Sequence, residues 1–463
     1  MRRIMAWGTV AESALVCVLL SGCMVGPDYS RPTVRINQEF SQVDEGTGVE
    51  STPGVNIADW WAKLEDPVLL QLTQMAIDDN LTLKQYASRI YQAQAQIGIT
   101  RSSLLPQFTE DGSYYYQHYK GSNTENWSLD TNMSWELDFF GRLQRLTEAA
   151  EADMAQQNEL YLQARLILLA DIAQTYVNAR AYQQQIDIAV KNIEIQKQTY
   201  ELTVKKETVG MGNRLDSSQA LGSFKSVEAN LHLLEQAYQQ TLNKLSVLTG
   251  RAPGAVDELM SKVENIPAVP EQVMVGIPAD LLRQRPDVRA AEDALIAQTA
   301  RIGGAIGELY PMFSLTGQFG LDANSFGNMF DSNSIVAGVG PSFRWNILNF
   351  GRYRSNVQLQ EFAQQELVNA YKQSILVAAQ EVDDSLVGYV KEKERLATLT
   401  EAVSAWSEAL KISQQRYMGG TADFQRVLDS QTALLTYELQ QVQCQANLTN
   451  YVVALYKALG GGN

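Results

Sequence analysis

The stretch WELDFFGRLQ, residues 135–144, has a counterpart 210 residues later in WNILNFGRYR, residues 345–354. In both stretches Trp, Phe, Gly and Arg stand at equivalent places. A second pair, LLPQF around Pro106 and LYPMF around Pro311, is 205 residues apart. Self-similarity over such a distance indicates an internal repeat, so the chain is predicted to contain two halves of similar structure.

Both halves have the same predicted order of elements: a helix, two strands, a long helix and a shorter helix. The run 142–209 contains neither Gly nor Pro, and at ~1.5 Å per residue it would form a helix about 100 Å long, which needs lateral partners. The predicted segments are repeat 1 at 66–250 (helix 68–104, β-hairpin about 106–140, long helix 142–209, short helix 215–248), a Pro-rich equatorial linker at 251–279, and repeat 2 at 280–460 (helix 280–309, hairpin about 311–348, helices 352–418 and 423–458).

The predicted strands have one apolar and one polar face. In 127–139 the odd positions are mostly Trp, Leu, Met and Phe and the even positions mostly Ser, Asp and Asn, and 335–347 repeats this alternation. Strands of about 10 to 13 residues with this pattern and with Trp or Tyr near their ends are typical of transmembrane β-barrels. A soluble β-sandwich also shows alternation, although sandwiches rarely join strands through such long helices.

The amino terminus resembles a lipoprotein signal. Arg2 and Arg3 precede an apolar run at 14–20, and Leu-Ser-Gly leads to Cys23. This pattern predicts a signal peptide over residues 1–22. The sequence LSGC resembles a bacterial lipobox, which implies that Cys23 becomes the lipidated first residue of an extended segment, 23–65. The alternative is an ordinary signal peptide that contains a cysteine.

Composition excludes several classes of function. The net charge is −15 and no long basic block is present, so nucleic acid is not an expected partner. Three cysteines and two histidines, His118 and His232, do not form a clustered metal site. No catalytic motif is found, and a membrane hydrolase would need a nucleophile and a base that the sequence does not offer. We therefore expect no cofactor, no metal and no enzymatic activity.

Four strands cannot close a membrane barrel, so oligomerisation is predicted. Two copies would give eight strands with an interior filled by side chains, whereas three would give twelve strands around an aqueous lumen, and the polar face favours three. The predicted fold class is a mixed α and β membrane protein: a trimeric 12-stranded outer membrane β-barrel continuing into a long antiparallel α-helical periplasmic tunnel, with an internal two-fold repeat. A non-conducting coiled-coil lipoprotein that spans the periplasm is the alternative, and the strand alternation argues against it.

The order of the motifs resembles the TolC family of outer membrane efflux channels, in particular its lipidated OprM and NodT-like branch. The resemblance rests on the repeat, the lipobox, VGPDYSRP at 25–32, WWAKLEDPVLLQL at 60–72 and RYMGGTADFQRVLDSQTALL at 416–435. It implies a homotrimer in the Gram-negative outer membrane, in contact with its lipid. It also implies an exit channel of a tripartite efflux system, docked on a periplasmic adaptor (membrane fusion protein) and an inner membrane pump of the resistance-nodulation-division type.

The resemblance also places a gate and a docking surface at the turns between the long and short helices. Gln425 and Asp429 stand at i and i+4 and therefore share a helix face, where three copies of Asp429 would form an acidic constriction. For each charge a solvated helix face is the alternative, and for each turn a purely structural role. The implied gate residues are Tyr417, Gln425, Arg426, Asp429 and Asp216; the implied adaptor-docking residues are Val209, Gly210, Met211, Gly419, Gly420 and Thr421.

Overall fold

The computed structural model describes residues 24–34, 49–51, 60–269, 273–275 and 283–461. The chain divides into two compact units. We call them the strand-bearing unit and the helical unit. The strand-bearing unit comprises Met1–Val34, Ala87–Glu159 and Arg289–Ser374, and the helical unit comprises Arg35–Tyr86, Leu160–Val288 and Ile375–Asn463.

Helices make up most of the described chain, and two of them have 67 residues each. None of the helices in the described ranges is both long and apolar enough to cross a lipid bilayer. The helices are α1 (Pro67–Asp79), α2 (Leu81–Ser102), α3 (Arg142–Thr208), α4 (Arg214–Leu248), α5 (Pro286–Gly307), α6 (Arg352–Met418) and α7 (Phe424–Ala458).

The first helical segment differs from the expected single helix over 68–104. The chain leaves the helical conformation at Asn80, where ψ is 122°. The side-chain carbonyl of Asn80 accepts from the amide of Leu83 at 2.9 Å, and its Nδ2 donates to the carbonyl of Leu248 at 2.8 Å. Asparagine favours such caps because its short side chain satisfies backbone groups at a helix start. In the second half, residues 283–284 are helical, the helical run breaks at Arg285, and α5 then begins at Pro286, a residue suited to the first helical position. The expected start at 280 lies outside the described residues.

A four-stranded antiparallel sheet lies in the strand-bearing unit. In order across the sheet, its strands are β2 (Gln107–Tyr119), β3 (Ser122–Leu137), β5 (Met312–Ala323) and β6 (Ile335–Arg344). β3 starts at Ser122, before the alternating run 127–139, and β6 ends at Arg344, inside the alternating run 335–347. A tight turn replaces the strand there, because the amide of Ile347 donates to the carbonyl of Trp345.

The register gives this sheet two chemically different faces. Thr109 lies opposite Asn132, which lies opposite Gln318, and directly opposed residues share a face. The polar face includes Thr109, Asp111, Ser128, Asp130, Asn132, Ser134, Thr316, Gln318 and Ser342, and the apolar face includes Phe108, Tyr114, Trp127, Leu129, Trp135, Phe313, Leu315, Phe319, Val339 and Phe343.

The helical unit contains a second, parallel pair of strands and a buried polar network. β1 (Val49–Ser51) pairs with β4 (Val273–Val275), so the predicted linker 251–279 includes a strand. Arg180 on α3 is fully buried. Its guanidinium donates to the Tyr176 hydroxyl, to the Gln183 amide oxygen, to the Lys262 carbonyl at 2.7 Å and to Glu264 at 3.2 Å. The network therefore fastens the segment after α4 to the long helix.

Candidate gate and docking surface at the helical turns

Two glycine turns reverse the chain in the helical unit, one between α3 and α4 and one between α6 and α7. Gly210 and Gly420 have φ of 75° and 73°, a left-handed conformation that side chains with a Cβ disfavour. The amide of Met211 donates to the Lys206 carbonyl, and the amide of Thr421 donates to the Arg416 carbonyl, each at 2.9 Å. Both long helices thus end in the same glycine-dependent way.

The docking residues implied by the sequence lie on these turns and are exposed. Val209 is 68% exposed and Met211 79% exposed. Met418, one residue before the second turn, is 60% exposed. Large apolar side chains at this exposure offer a surface for contact with another protein.

Tyr417 is the one gate candidate that the structure buries. It packs against Phe424, with 5.4 Å between the ring centroids. Lys206, on the other helix pair, donates from Nζ to the Tyr417 carbonyl at 2.7 Å and lies 3.9 Å from the centre of its ring. Lys206 therefore ties the two turns together through a charged hydrogen bond and a cation–π contact.

Lys206 was not among the residues predicted from the sequence. The only available signal was its position in the last turn of α3, where a cation is favoured by the helix dipole. Lys205 shares that signal, so sequence alone does not separate the two lysines.

The structure brings Gln425 and Asp429 into contact. Gln425 Nε2 donates to Asp429 Oδ1 at 2.7 Å, and Gln219 Nε2 donates to Gln425 Oε1 at 3.4 Å, which links α4 with α7. Arg426 is exposed beside them. Asp216 lies in the first turn of α4, and within the described residues no hydrogen bond joins its side chain to this pair.

Asp216 is held in an unfavourable environment for a carboxylate. Burial, together with the negative charge of Asp423, raises the pKa of Asp216 above its ordinary value, and Lys206 opposes this effect. Burial and the charge of Asp216 likewise raise the pKa of Tyr417. Tyr417, Lys206 and Asp216 thus influence one another electrostatically.

Asp216→Asn is expected to raise the thermal midpoint of unfolding at about pH 8 and to leave it unchanged at about pH 3. A carboxyl with a raised pKa binds its proton more tightly in the folded state. Its charged form therefore destabilises the fold at neutral pH, and this penalty disappears as the pH falls through the raised pKa. Calorimetry at both pH values tests this, with Glu201→Gln, an exposed position on α3, as the control. A lower midpoint for Asp216→Asn at about pH 8 would contradict the assignment.

Cys23 lies outside the described residues, but the segment that follows it is packed on the strand-bearing unit. The amide of Val25 donates to the Phe140 carbonyl at 3.1 Å. Arg145, which is buried, donates to the Val25 carbonyl at 3.2 Å and to Asp28 at 2.7 Å. Glu292 accepts from Tyr29 and Arg31. The VGPDYSRP motif therefore fixes the chain just after Cys23.

No group of His, Cys, Asp and Glu in the described ranges is arranged to hold a metal ion. His118 contacts Asn123 and His232 contacts Glu235. Cys444 is buried, and burial raises its pKa to about 11. A thiol with so high a pKa is a poor nucleophile at neutral pH.

Comparison with known proteins identifies the family. The profile described as "Outer membrane efflux protein" matches residues 72–251 and 277–461. Nodulation protein T of Rhizobium leguminosarum bv. trifolii is 31% identical over 96% of this chain and 96% of its own length. The outer-membrane channel OprN has a TM-score of 0.88 at 29% identity, with 95% of this chain and 99% of that chain covered. The open state of the Neisseria gonorrhoeae MtrE outer membrane channel has a TM-score of 0.82 at 26% identity, with 95% and 98% covered. The chain belongs to the outer membrane efflux protein family, that is, to the TolC family of outer membrane efflux channels.

Proposed function

We propose that this protein is the outer membrane exit channel of a tripartite efflux system and conducts substrates passively. The two-faced sheet is the observation that carries the proposal. Its apolar face bears Phe319, Val339 and Phe343 at 64%, 74% and 70% exposure, which a bilayer would cover. Its polar face suits an aqueous lumen. Family membership supports the same function.

The sheet order supports closure by three copies. β2 and β6 are the outer strands of the four, and each has one neighbour within the described chain. Three copies joined edge to edge would form a 12-stranded barrel with no free strand edge, wide enough for a lumen. In this proposal α3 and α6, at 67 residues each, form the periplasmic tunnel.

The proposed partners follow from the turns and from the amino terminus. Val209, Gly210 and Met211, with Gly419, Gly420 and Thr421, would dock a periplasmic adaptor that connects to an inner membrane pump of the resistance-nodulation-division type. Lipidated Cys23 would anchor each subunit in the Gram-negative outer membrane, beside the packed segment that begins at Met24. Two or more acyl chains give firm anchoring.

The proposed gate is a ring of three tips. Gln425, Arg426 and Asp429 of each copy would narrow the tunnel, and the contacts of Lys206 with Tyr417 would hold the tips closed. The similarity to a channel solved in an open state supports two positions of this region. Opening would require the Lys206 contacts to break, while Asp216 and Asp429 would supply negative charge that favours cations.

Lys206→Met is expected to raise the ratio of open to closed channels in planar bilayers by about tenfold, because a hydrogen bond from a charged donor contributes about 1.5–3 kcal/mol. Lys205→Met is the matched control, since Lys205 is exposed in the same helical turn. Equal conductance of the two variants would contradict the proposal that the contacts of Lys206 with Tyr417 hold the tips closed. Absence of stepwise conductance from the wild type and from Asp429→Ala would contradict the channel function itself.

Cys23→Ser is expected to abolish incorporation of labelled palmitate while conductance in reconstituted bilayers persists. The strands, in this proposal, hold the trimer in the membrane without the acyl chains. Unchanged labelling of the variant would show that the lipobox assignment is wrong.

A further inference from the structure

The two hairpins of the strand-bearing unit have the same register. Gln107 lies opposite Ser134 in the first hairpin, and Met312 lies opposite Arg344 in the second. These pairs are related by the offsets of the sequence repeat, 205 residues for the first strand and 210 for the second. The equivalence extends to side chains, because Trp135 Nε1 donates to the Leu104 carbonyl and Trp345 Nε1 donates to the Leu309 carbonyl.

Repeat 1 contacts repeat 2 in this sheet through β3 and β5, where Ser134 lies opposite Thr316. Adding 210 to a residue number on β3 gives its equivalent on β6, and subtracting 205 from a residue number on β5 gives its equivalent on β2. The equivalent of the β3–β5 pairing is therefore a pairing between β6 of one copy and β2 of another. In that pairing Arg344 takes the place of Ser134, and Asp111 takes the place of Thr316. Building on the proposed trimeric channel, we propose that Arg344 of each subunit forms an ion pair with the partner subunit's Asp111 across the seam between subunits, on the face that lines the lumen.

The charges of the sheet support this pairing. Arg344 is the only Lys or Arg in β2, β3, β5 and β6. It is exposed, and no hydrogen bond or ion pair engages its side chain within the described part of the chain. A cation at the free edge of β6 is thus available to another chain.

Asp111 lies on β2, at the other free edge of the sheet, and forms no ion pair within the described residues. It lies directly opposite Asp130 on β3, so two like charges face each other, an arrangement that destabilises a sheet. Asn132 and Thr109 both donate to Oδ2 of Asp111. Asp111 Oδ1 makes no hydrogen bond within the described residues, and it is available to a guanidinium from a neighbouring strand.

The derived register also matches the two faces of the sheet. A shift of β6 by one residue along β2 would place polar side chains opposite apolar ones. In the register derived from the offsets, polar side chains lie opposite polar side chains. They place Ser342 opposite the partner subunit's Ser113. On the apolar face they place Phe343 opposite the partner subunit's Gly112, where the ring can cover a residue without a side chain.

A second contact, below the strands, follows the same rule. Within the chain, the ring of Phe140 stacks on that of Tyr310, with 4.5 Å between centroids. The repeat equivalents of this pair are Phe350 and the partner subunit's Leu105, which we expect to be in contact across the seam. Phe350 is 93% exposed and Leu105 61% exposed, so both ends of the expected contact are uncovered in the single chain.

The helices give a third, independent correspondence. Gly303 of α5 packs so closely on α3 that an added Cβ would lie 2.8 Å from Arg145 Cγ. Its repeat equivalent, Gly98 of α2, has no atom within 4 Å of an added Cβ. The equivalent of the contact between Gly303 and Arg145 is therefore a contact between Gly98 of one copy and the first turn of α6, around Ser355, of the next copy. Strands, aromatic residues and helices therefore all indicate the same neighbour.

Disulfide trapping tests the register. Ser342→Cys combined with Ser113→Cys in one chain would place the two cysteines opposite each other only across the seam, because β3 and β5 separate them by about 14 Å within a subunit. A disulfide needs a Cα separation of about 5.5 Å. We expect covalent trimers on a non-reducing denaturing gel. Ser342→Cys with Gln117→Cys, displaced by about 13 Å along the strand, is the control and is expected to give none.

Charge exchange tests the ion pair. Arg344→Glu and Asp111→Arg are each expected to lower the temperature at which the trimer dissociates on a heated detergent gel, and the double variant Arg344→Glu/Asp111→Arg is expected to restore it. Failure of the double variant to recover would overturn the ion pair. Trimers that conduct but do not cross-link through Ser342 and Ser113, or that cross-link equally in the control, would overturn the register and leave the channel function standing. A monomeric, non-conducting wild type would overturn both.

Discussion

Arg180→Ala is expected to lower the free energy of unfolding of the helical unit by about 3–5 kcal/mol, the cost of removing one partner from a buried ionic network. The guanidinium is fully buried and serves the Tyr176 hydroxyl, the Gln183 amide and the Lys262 carbonyl at once. Without it, the Tyr176 hydroxyl and the Gln183 amide oxygen lose a donor in a buried environment. Buried polar groups that lose a partner carry the full desolvation penalty.

Chemical denaturation of the purified full chain in detergent, followed by circular dichroism, measures this change. Arg251→Ala is the control, because Arg251 pairs with Asp79 at 3.6 Å and is 45% exposed. An exposed pair of that kind contributes only about 0–1 kcal/mol. Similar, small effects of both substitutions would show that the network around Arg180 adds little to stability.

Gly303→Ala is expected to destabilise the strand-bearing unit by about 1–3 kcal/mol, the usual cost of forcing an extra methyl group into a packed site. The new Cβ would lie within 3 Å of three atoms of the Arg145 side chain. That side chain cannot move aside freely, because it is held by Val25, Asp28 and Glu148. The substitution should therefore also loosen the segment after Cys23.

Thermal unfolding, together with chymotrypsin cleavage after Tyr29, whose hydroxyl donates to Glu292, measures both effects of Gly303→Ala. Gly222→Ala is the matched control, since Gly222 is also helical and an added Cβ there meets nothing within 4 Å. Alanine at such a site is expected to stabilise by about 0.4–1 kcal/mol. If both variants were stabilised and chymotrypsin cut neither faster, the close approach of Gly303 to Arg145 would not limit the packing.

Much of the fold follows from sequence periodicity. A run of 68 residues without Gly or Pro indicated one long helix, and it forms α3, which ends within one residue of the expected end. The break at Asn80 was missed because it depends on a hydrogen bond to the Leu248 carbonyl, 168 residues away. Local pattern carries no information about a partner so distant in the chain.

At the candidate gate, the i,i+4 spacing of Gln425 and Asp429 indicated their common face, and their side chains are in contact. The burial of Tyr417 and its contact with Lys206 were not predictable, since they require two turns 211 residues apart to meet. The roles of these residues in gating remain proposals, and the conductance of Lys206→Met tests them.

By itself, the sequence determined the repeat, the alternation of the strands and the family, because these depend on residue order and on periods of 2 and 3.6 residues. Only the tertiary structure decided which distant residues these side chains contact. Arg145 packs on Gly303 and donates to Asp28, while Arg180 donates to the Lys262 carbonyl. Lys206 donates to the Tyr417 carbonyl. The physical reason is that each of these contacts joins residues far apart in the chain. Their energy comes from desolvation and close packing, which exist only once the helices and strands lie side by side.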